Sequence, residues 1–193
     1  MAWLVAGLGN PGERYARTRH NLGARVADEL AREAGARYRR VRFLPLDLAE
    51  VRLGDERVLI ARSHRFMNEA GPSYASLVAK QRVEPERMIA VHNELDLPAG
   101  ALRVKSGGST SGHNGLKSLQ QALRTPEFLR VRLGIGRPPG RQDPADFVLD
   151  PFPGREEEDV SVLVGEAADA VRSLIAEGLQ RTQDRFNRAG PRA

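Results

Sequence analysis

The sequence predicts a single α/β domain, a three-layer sandwich in which helices flank a mixed, mostly parallel central sheet. Three observations lead there. Short strand-like apolar runs alternate with helical patterns along the whole chain, the order that builds a sheet covered by helices. Two strand-like runs within Val41–Ala61 flank a Leu53-Gly54-Asp55-Glu56 turn, so part of the pairing is antiparallel. The 193 residues carry neither a repeat period nor a linker, which fits one domain over residues 1–186.

Ala2–Gly7 is a short apolar strand running into Gly7-Leu8-Gly9-Asn10-Pro11-Gly12, a stretch that can continue no regular element and forms a shaped loop. Leu22, Val26, Ala27, Leu30 and Ala34 recur at helical spacing, predicting a helix from about Leu22 to Ala34. Val41–Val51 and Arg57–Ala61 are the paired strands. A loop over His64–Gly71, a helix over Ser73–Lys80 and a strand over Met88–Asn93 follow. Ala101–Val104 reads as a strand, Gly107–Gly115 as a polar, glycine-studded loop, Leu116–Leu123 as a helix and Leu129–Gly136 as a strand. Arg137-Pro138-Pro139-Gly140 breaks the chain. One long helix is then expected from Arg155 to Phe186, with Val160, Val164, Ala167, Val171, Leu174 and Leu179 on one face. Residues 187–193 are polar and predict a frayed C-terminal tail.

Composition narrows the function classes. Hydrophobic residues at 40% and charged residues at 28% give a globular balance. No apolar run is long enough to span a bilayer, and Ala2–Leu8 is too short for a signal-peptide core. The absence of cysteine excludes disulfides, thiolate nucleophiles and cysteine-based zinc or iron–sulfur sites. A cytoplasmic protein with no membrane partner is expected, and the lack of a heptad seam favours a monomer. Net charge is +5, and lysine occurs only at Lys80, Lys105 and Lys117. Arginine suits bidentate phosphate contacts, although a GC-rich genome would encode the same excess. The charge therefore permits nucleic-acid binding without proving it.

Polar groups gather on loops that follow predicted strands, where open α/β sheets bind ligands. Four segments qualify: Asn10 with His20 soon after, Met67-Asn68, Asn93–Asp96 and Gly107–Asn114. His20 stands just before the first helix, where a neutral imidazole can act as a general base for water. The helix N-terminus, Arg17 and Arg19 would all disfavour its charged form. Each of Asn10, Asn68 and Asn114 offers an amide that can hold water or donate to an oxyanion, although loops favour asparagine in any case. No Gly-x-Ser-x-Gly elbow and no His-Glu-x-x-His metal spacing occurs. The Gly7–Gly12 loop lacks the acid and the following helix of a dinucleotide site. The glycine-rich loop at Gly107–Gly112 could be a phosphate nest.

Several ordered motifs together carry a resemblance over nearly the whole chain. They are Gly7-Leu8-Gly9-Asn10-Pro11-Gly12, Tyr15 through Gly23, Phe66-Met67-Asn68, Glu94-Leu95-Asp96-Leu97-Pro98, Gly112 through Lys117 and Arg132-Leu133-Gly134-Ile135-Gly136. The chain resembles bacterial peptidyl-tRNA hydrolases. The resemblance implies hydrolysis of the ester joining a peptide to the 3′ end of tRNA, without metal or organic cofactor. It makes His20 the catalytic base. Asn10, Asn68 and Asn114 would be positioning amides, Met67 and His113 pocket walls, and Tyr15 a further substrate-binding residue. Lys105 and Arg132 would grip the tRNA 5′-phosphate, so the implied partner is the acceptor stem and 3′ end of peptidyl-tRNA. The stretch after Gly136 resembles a mobile flap, and the C-terminal helix would flank the cleft.

The chain departs from the family's pattern at one position with chemical weight. Asn93 stands, in His92-Asn93-Glu94, where the family usually has an aspartate against the catalytic imidazole. If the Asn93 carbonyl faces the ring, His20 remains a base, though a weaker one. If its amide nitrogen does, the base is lost. An impaired hydrolase is expected, and the alternative is a catalytically silent paralogue that binds tRNA or structured RNA. Smaller departures are Ser63-His64-Arg65 before Phe66, Glu69-Ala70-Gly71 without the usual serine, and Ser109-Thr110-Ser111 in a loop normally richer in glycine.

Overall fold

The computed structural model describes residues 1–187. Seven strands form one sheet: β1 (Trp3–Gly7), β2 (Arg39–Arg40), β3 (Leu46–Leu53), β4 (Glu56–Ser63), β5 (Met88–Glu94), β6 (Leu102–Ser106) and β7 (Leu129–Gly134). Their order is β2-β3-β4-β1-β5-β7-β6. The four central strands β4, β1, β5 and β7 run parallel. The flanking β2–β3, β3–β4 and β6–β7 pairs are antiparallel, so the sheet is mixed, with a parallel centre and antiparallel edges. The tight β3–β4 turn at Gly54, with φ +61°, permits only an antiparallel return.

Alternation along the strands feeds two cores. Val5, Ile89, Val91, Val131 and Leu133 face α1 (Leu22–Glu33) and α5 (Glu157–Glu177). Leu4, Ala6, Leu59, Met88 and Ala90 face α2 (Gly71–Gln81) and α3 (Asn114–Leu123). β5 is buried along its whole length, as the central strand of a doubly covered sheet must be.

The first strand of the hairpin starts at Leu46 instead of Val41, and four larger features differ from the expectations. Arg39–Arg40 forms an additional edge strand, exposed and too short to carry a pattern. The stretch after Gly136 contains a short helix, α4 (Pro144–Leu149), whose N-cap Asp143 accepts from Ala145 N at 2.8 Å. The long C-terminal helix is broken at Gly178, with φ +83°, and α6 (Leu179–Phe186) starts afresh. Apolar spacing runs on from Leu174 to Leu179, so periodicity alone hides a break made by backbone freedom. Asn187, expected at the start of the frayed tail, is docked instead. Its Oδ1 accepts from Val104 N at 2.8 Å and its Nδ2 donates to Val104 O at 3.0 Å. The free edge of β6 is thereby satisfied by a side chain. Residues 188–193 of that expected tail lie outside the described residues. Among the described residues no helix is long and apolar enough to cross a membrane.

One glycine decides where α1 starts. A Cβ on Gly23 would lie 2.0 Å from Val91 O and 2.7 Å from Leu8 N, so only glycine lets the first turn of α1 rest on β5 and the β1 loop. Gly23→Ala forces these backbones apart. Overpacking of this kind costs about 1–3 kcal/mol, and the melting temperature should fall by roughly 3–10 °C in a thermal unfolding experiment.

Candidate active site

Three loops meet at the carboxyl end of β5. His20 lies in a 3₁₀ turn, Arg19–Asn21, that leads straight into α1. This turn is strapped to the segment after α4: Thr18 pairs with Pro151, and Arg19 N donates to Asp150 O at 3.1 Å. The Arg19 guanidinium donates to Pro151 O at 3.1 Å and lies over the rings of Phe147 and Phe152. His20 is thus pressed into place, only 8% exposed. Its Nδ1 lies 3.0 Å from Asn93 Oδ1, at the end of β5. His113 brings Nε2 to the same oxygen at 2.9 Å. The His20 and His113 ring centroids are 4.9 Å apart, and His92 packs on His113 at 5.0 Å. His20, Asn93, His113 and Asn114 line a cleft of about 350 Å³ together with Arg137 and with Pro144 and Val148 of α4.

Burial pushes the His20 imidazole below its ordinary range, and the Asn93 hydrogen bond only partly offsets this. Arg17 and Arg19, expected to press the same way, are turned elsewhere: Arg17 pairs with Glu157 at 3.4 Å, and Arg19 serves backbone carbonyls. His113 is held well below the usual value, chiefly by burial. His92 is driven down to about 3 by complete burial, against its hydrogen bond to Asn93 O. All three rings are therefore neutral at neutral pH, which keeps a lone pair available in the cleft.

The asparagines sit around this centre with distinct roles in the packing. Asn10 Oδ1 accepts from Met67 N at 2.8 Å. The backbone of Asn10 is bracketed by Asn21, whose Oδ1 accepts from Asn10 N and whose Nδ2 donates to Asn10 O, both at 2.9 Å. Asn21 is a constraint that the sequence reading missed; its only sequence signal is its place beside His20. Met67 is buried, and a Cβ on Gly115 would lie 2.6 Å from its Sδ and 3.1 Å from His113 Cε1. Met67 and His113 thus close on the start of α3 together, and Met67 ties Asn10 to the histidine cluster. Asn68 and Asn114 are exposed, one residue beyond Met67 and His113 respectively. Asn10 itself lines the neighbouring cavity, on the other side of its loop. Tyr15 is half-buried, its ring edge-on to Phe66 at 6.0 Å.

The basic residues form one patch on the α2/α3 face of the sheet, beyond α3. Lys105 stands opposite Arg130 and Arg103 opposite Arg132 in the β6–β7 ladder, so all four side chains share a face. Arg132 is clamped to the buried Glu94 at 3.4 Å. Lys105 is pushed down by burial and by its neighbours Arg132 and Arg130. Arg130 is wholly buried and donates to Ser109 O at 2.6 Å and Gly108 O at 2.8 Å. It thereby shapes the glycine-rich loop, a role that its sequence pattern did not signal. Glu94 points to this face, away from that of Asn93, and cannot stand in for a carboxylate there.

The C-terminal helices do not border the cleft of His20. α6 packs on β6, and the first turns of α5 line a separate cavity of about 650 Å³ behind α4. This corrects the expected flanking position: α5 lines the cavity behind α4 instead of the cleft, and the break at Gly178 turns α6 back onto the sheet edge.

A family model described as peptidyl-tRNA hydrolase matches residues 4–192. The chain belongs to the peptidyl-tRNA hydrolase family. A peptidyl-tRNA hydrolase of Nocardia farcinica is 51% identical over 184 residues, 95% of each chain. One of Frankia casuarinae is 51% identical over 185 residues, covering 96% of this chain and 93% of its own. The crystal structure of peptidyl-tRNA hydrolase from Acinetobacter baumannii superposes with a TM-score of 0.91 at 29% identity, covering 99% of this chain and 97% of that one.

Within this family frame two of the smaller departures find structural places away from the cleft, whereas Ser111 of the third lines it. His64 Nε2 meets Asp47 at 2.8 Å, and Ser63 Oγ accepts from Arg65 N at 2.9 Å, which settles the turn after β4. Gly71 N donates to Ser118 Oγ at 2.9 Å, so a serine of α3 satisfies the start of α2.

Proposed function

We propose that this chain hydrolyses the ester between a peptide and the 3′-terminal ribose of tRNA, using a water activated by His20. The observation that carries this reading is the contact of His20 Nδ1 with Asn93 Oδ1. An oxygen can only accept, so the hydrogen sits on Nδ1 and the Nε2 lone pair is left for water. In the proposed reaction Nε2 takes a proton from water as its oxygen attacks the ester carbonyl. The tetrahedral oxyanion then collapses, the C–O bond to the ribose breaks, and the imidazolium returns the proton to the leaving ribose oxygen. An ester has a good enough leaving group for this to proceed without a covalent intermediate, and the proposed steps use no metal or organic cofactor.

Asn114 lines the cleft beside His20 and is the proposed oxyanion donor. Asn10, its oxygen committed to Met67 N in the neighbouring cavity, and the exposed Asn68 are proposed to position the substrate around it. A preorganised donor of this kind is worth about 10²–10³ in rate. Met67, His113 and Tyr15 would shape the pocket for the substrate's end. Lys105 and Arg132 would hold the 5′-phosphate of the acceptor stem. Arg132 uses Nε and Nη2 on Glu94, so Nη1 is left to donate to phosphate. Such contacts position the RNA rather than read its bases. The protein is proposed to act as a monomer, in the cytoplasm, where its substrate arises.

The test is single-turnover hydrolysis of an N-blocked aminoacyl-tRNA at high enzyme concentration. Burial of His20 sets the pH dependence. The base must be neutral, and its pKa lies below 6.5, so kcat/KM should rise with pH below 6.5 and be level from neutrality upward. A rising limb centred above 7 would exclude His20 as the base in this environment. Asn93 favours one competing reading, a silent paralogue that binds RNA without cleaving it. That reading requires salt-sensitive tRNA binding with no hydrolysis at any enzyme concentration.

A further inference from the structure

His20 can be a base only while Asn93 shows it oxygen rather than nitrogen. The two ends of a carboxamide have nearly the same shape, and hydrogen bonding alone sets which way round it lies. In this site one atom of the Asn93 amide faces two imidazole nitrogens, His20 Nδ1 at 3.0 Å and His113 Nε2 at 2.9 Å. Both histidines must therefore donate to it, or both must accept.

The backbone makes this choice at His113. His113 is the N-cap of α3, and its Nδ1 lies 3.1 Å from Gly115 N and 3.3 Å from Leu116 N. These are among the free amides at the start of a helix, and an N–H can only donate. Nδ1 must therefore carry the lone pair, and the ring hydrogen sits on Nε2. The Nε2–H is directed at Asn93, which has to answer with Oδ1. The ring is held from other sides as well, by His92 at 5.0 Å between centroids and by the backbone at Gly115.

We infer that His113 is a positioning residue that sets the catalytic tautomer. The first amides of α3 fix the His113 ring, His113 fixes the Asn93 carboxamide, and Asn93 fixes His20 with its hydrogen on Nδ1 and its lone pair on Nε2. A carboxylate at position 93 would not need this relay, because both of its ends accept. The asparagine makes it necessary. The inference rests on His20 being the base of the proposed reaction.

His113→Asn isolates the relay. Asparagine is among the preferred N-caps, so α3 keeps an acceptor for its amides while the imidazole N–H facing Asn93 is lost. His113→Ser does the same with a smaller cap, and thermal unfolding checks that both variants fold. The readouts are the ¹⁵N shifts of the His20 ring above its titration, and kcat. The unsubstituted protein should show Nδ1 protonated and Nε2 bare. In His113→Asn the His20 signals should move toward a mixture of tautomers, and kcat should fall about three- to tenfold as the competent fraction drops. A change in KM would report the pocket wall that His113 also forms, so the relay is read from the His20 spectrum and from kcat. In an Asn93→Asp background the same substitution should leave the His20 ¹⁵N pattern unchanged and lower kcat by a smaller factor than in the asparagine parent.

An unchanged His20 spectrum in His113→Asn, or an equal loss of kcat in both backgrounds, overturns the relay. An inactive parent protein, or a His20→Ala variant as active as the parent, overturns the proposed reaction instead. The ¹⁵N pattern still reads the relay in that case, because it reports the tautomer without turnover.

Discussion

His20→Ala is expected to lower the single-turnover rate by about 10²–10⁴-fold, the range that a positioned general base contributes. The affinity for tRNA should stay within about twofold. The separation of the two readouts follows from the geometry. His20 is buried at the floor of the cleft against Asn93, whereas Lys105 and Arg132 lie on the β6–β7 ladder on the other face of the sheet. Removing the imidazole therefore leaves the groups proposed to bind phosphate untouched. It also leaves His113 in place on Asn93, so the cleft keeps its wall. A small loss of rate would mean that water is activated elsewhere, and a large loss of affinity would mean that His20 binds RNA.

Asn93→Asp is expected to raise kcat by about 5–30-fold. The structure limits the size of this gain. Where an asparagine turns the histidine to the wrong tautomer, the loss can reach about 10⁴, as in the serine-protease triad. Here the Asn93 oxygen already accepts from the ring, so the tautomer is right and only the charge is missing. A hydrogen bond to an ionised acceptor contributes about 1.5–3 kcal/mol against about 0.5–1.5 for a neutral one. The difference of about 1–2 kcal/mol stabilises the imidazolium formed at the transition state and converts to that rate factor. The same carboxylate favours the charged ring in the free enzyme, so the rising limb of kcat/KM should move to higher pH. No gain in rate would show that the amide costs the protein nothing and that its charge is irrelevant to the step.

Much of this was legible in the sequence, for identifiable reasons. The alternation of Leu4 and Ala6 with Val5 declares a strand buried on both faces, and the spacing of Leu22, Val26 and Leu30 declares α1. The loop residues that could carry chemistry stood out because asparagine and histidine follow predicted strands. Other features were invisible for equally physical reasons. The break at Gly178 interrupts no apolar spacing, and the β2 edge strand is two exposed arginines. Arg130 looks like any other basic strand residue until the fold buries it under the carbonyls of Gly108 and Ser109.

The order of residues along the chain determined which chemical groups were present and which loops would carry them, because local periodicity and backbone preference act over a few residues. The tertiary structure alone decided how those groups are wired. Asn93 presents oxygen rather than nitrogen because an imidazole twenty positions away, capping a helix, holds one tautomer. A hydrogen-bond direction of that kind is set by contacts between segments distant in sequence, and no stretch of residues read singly contains it.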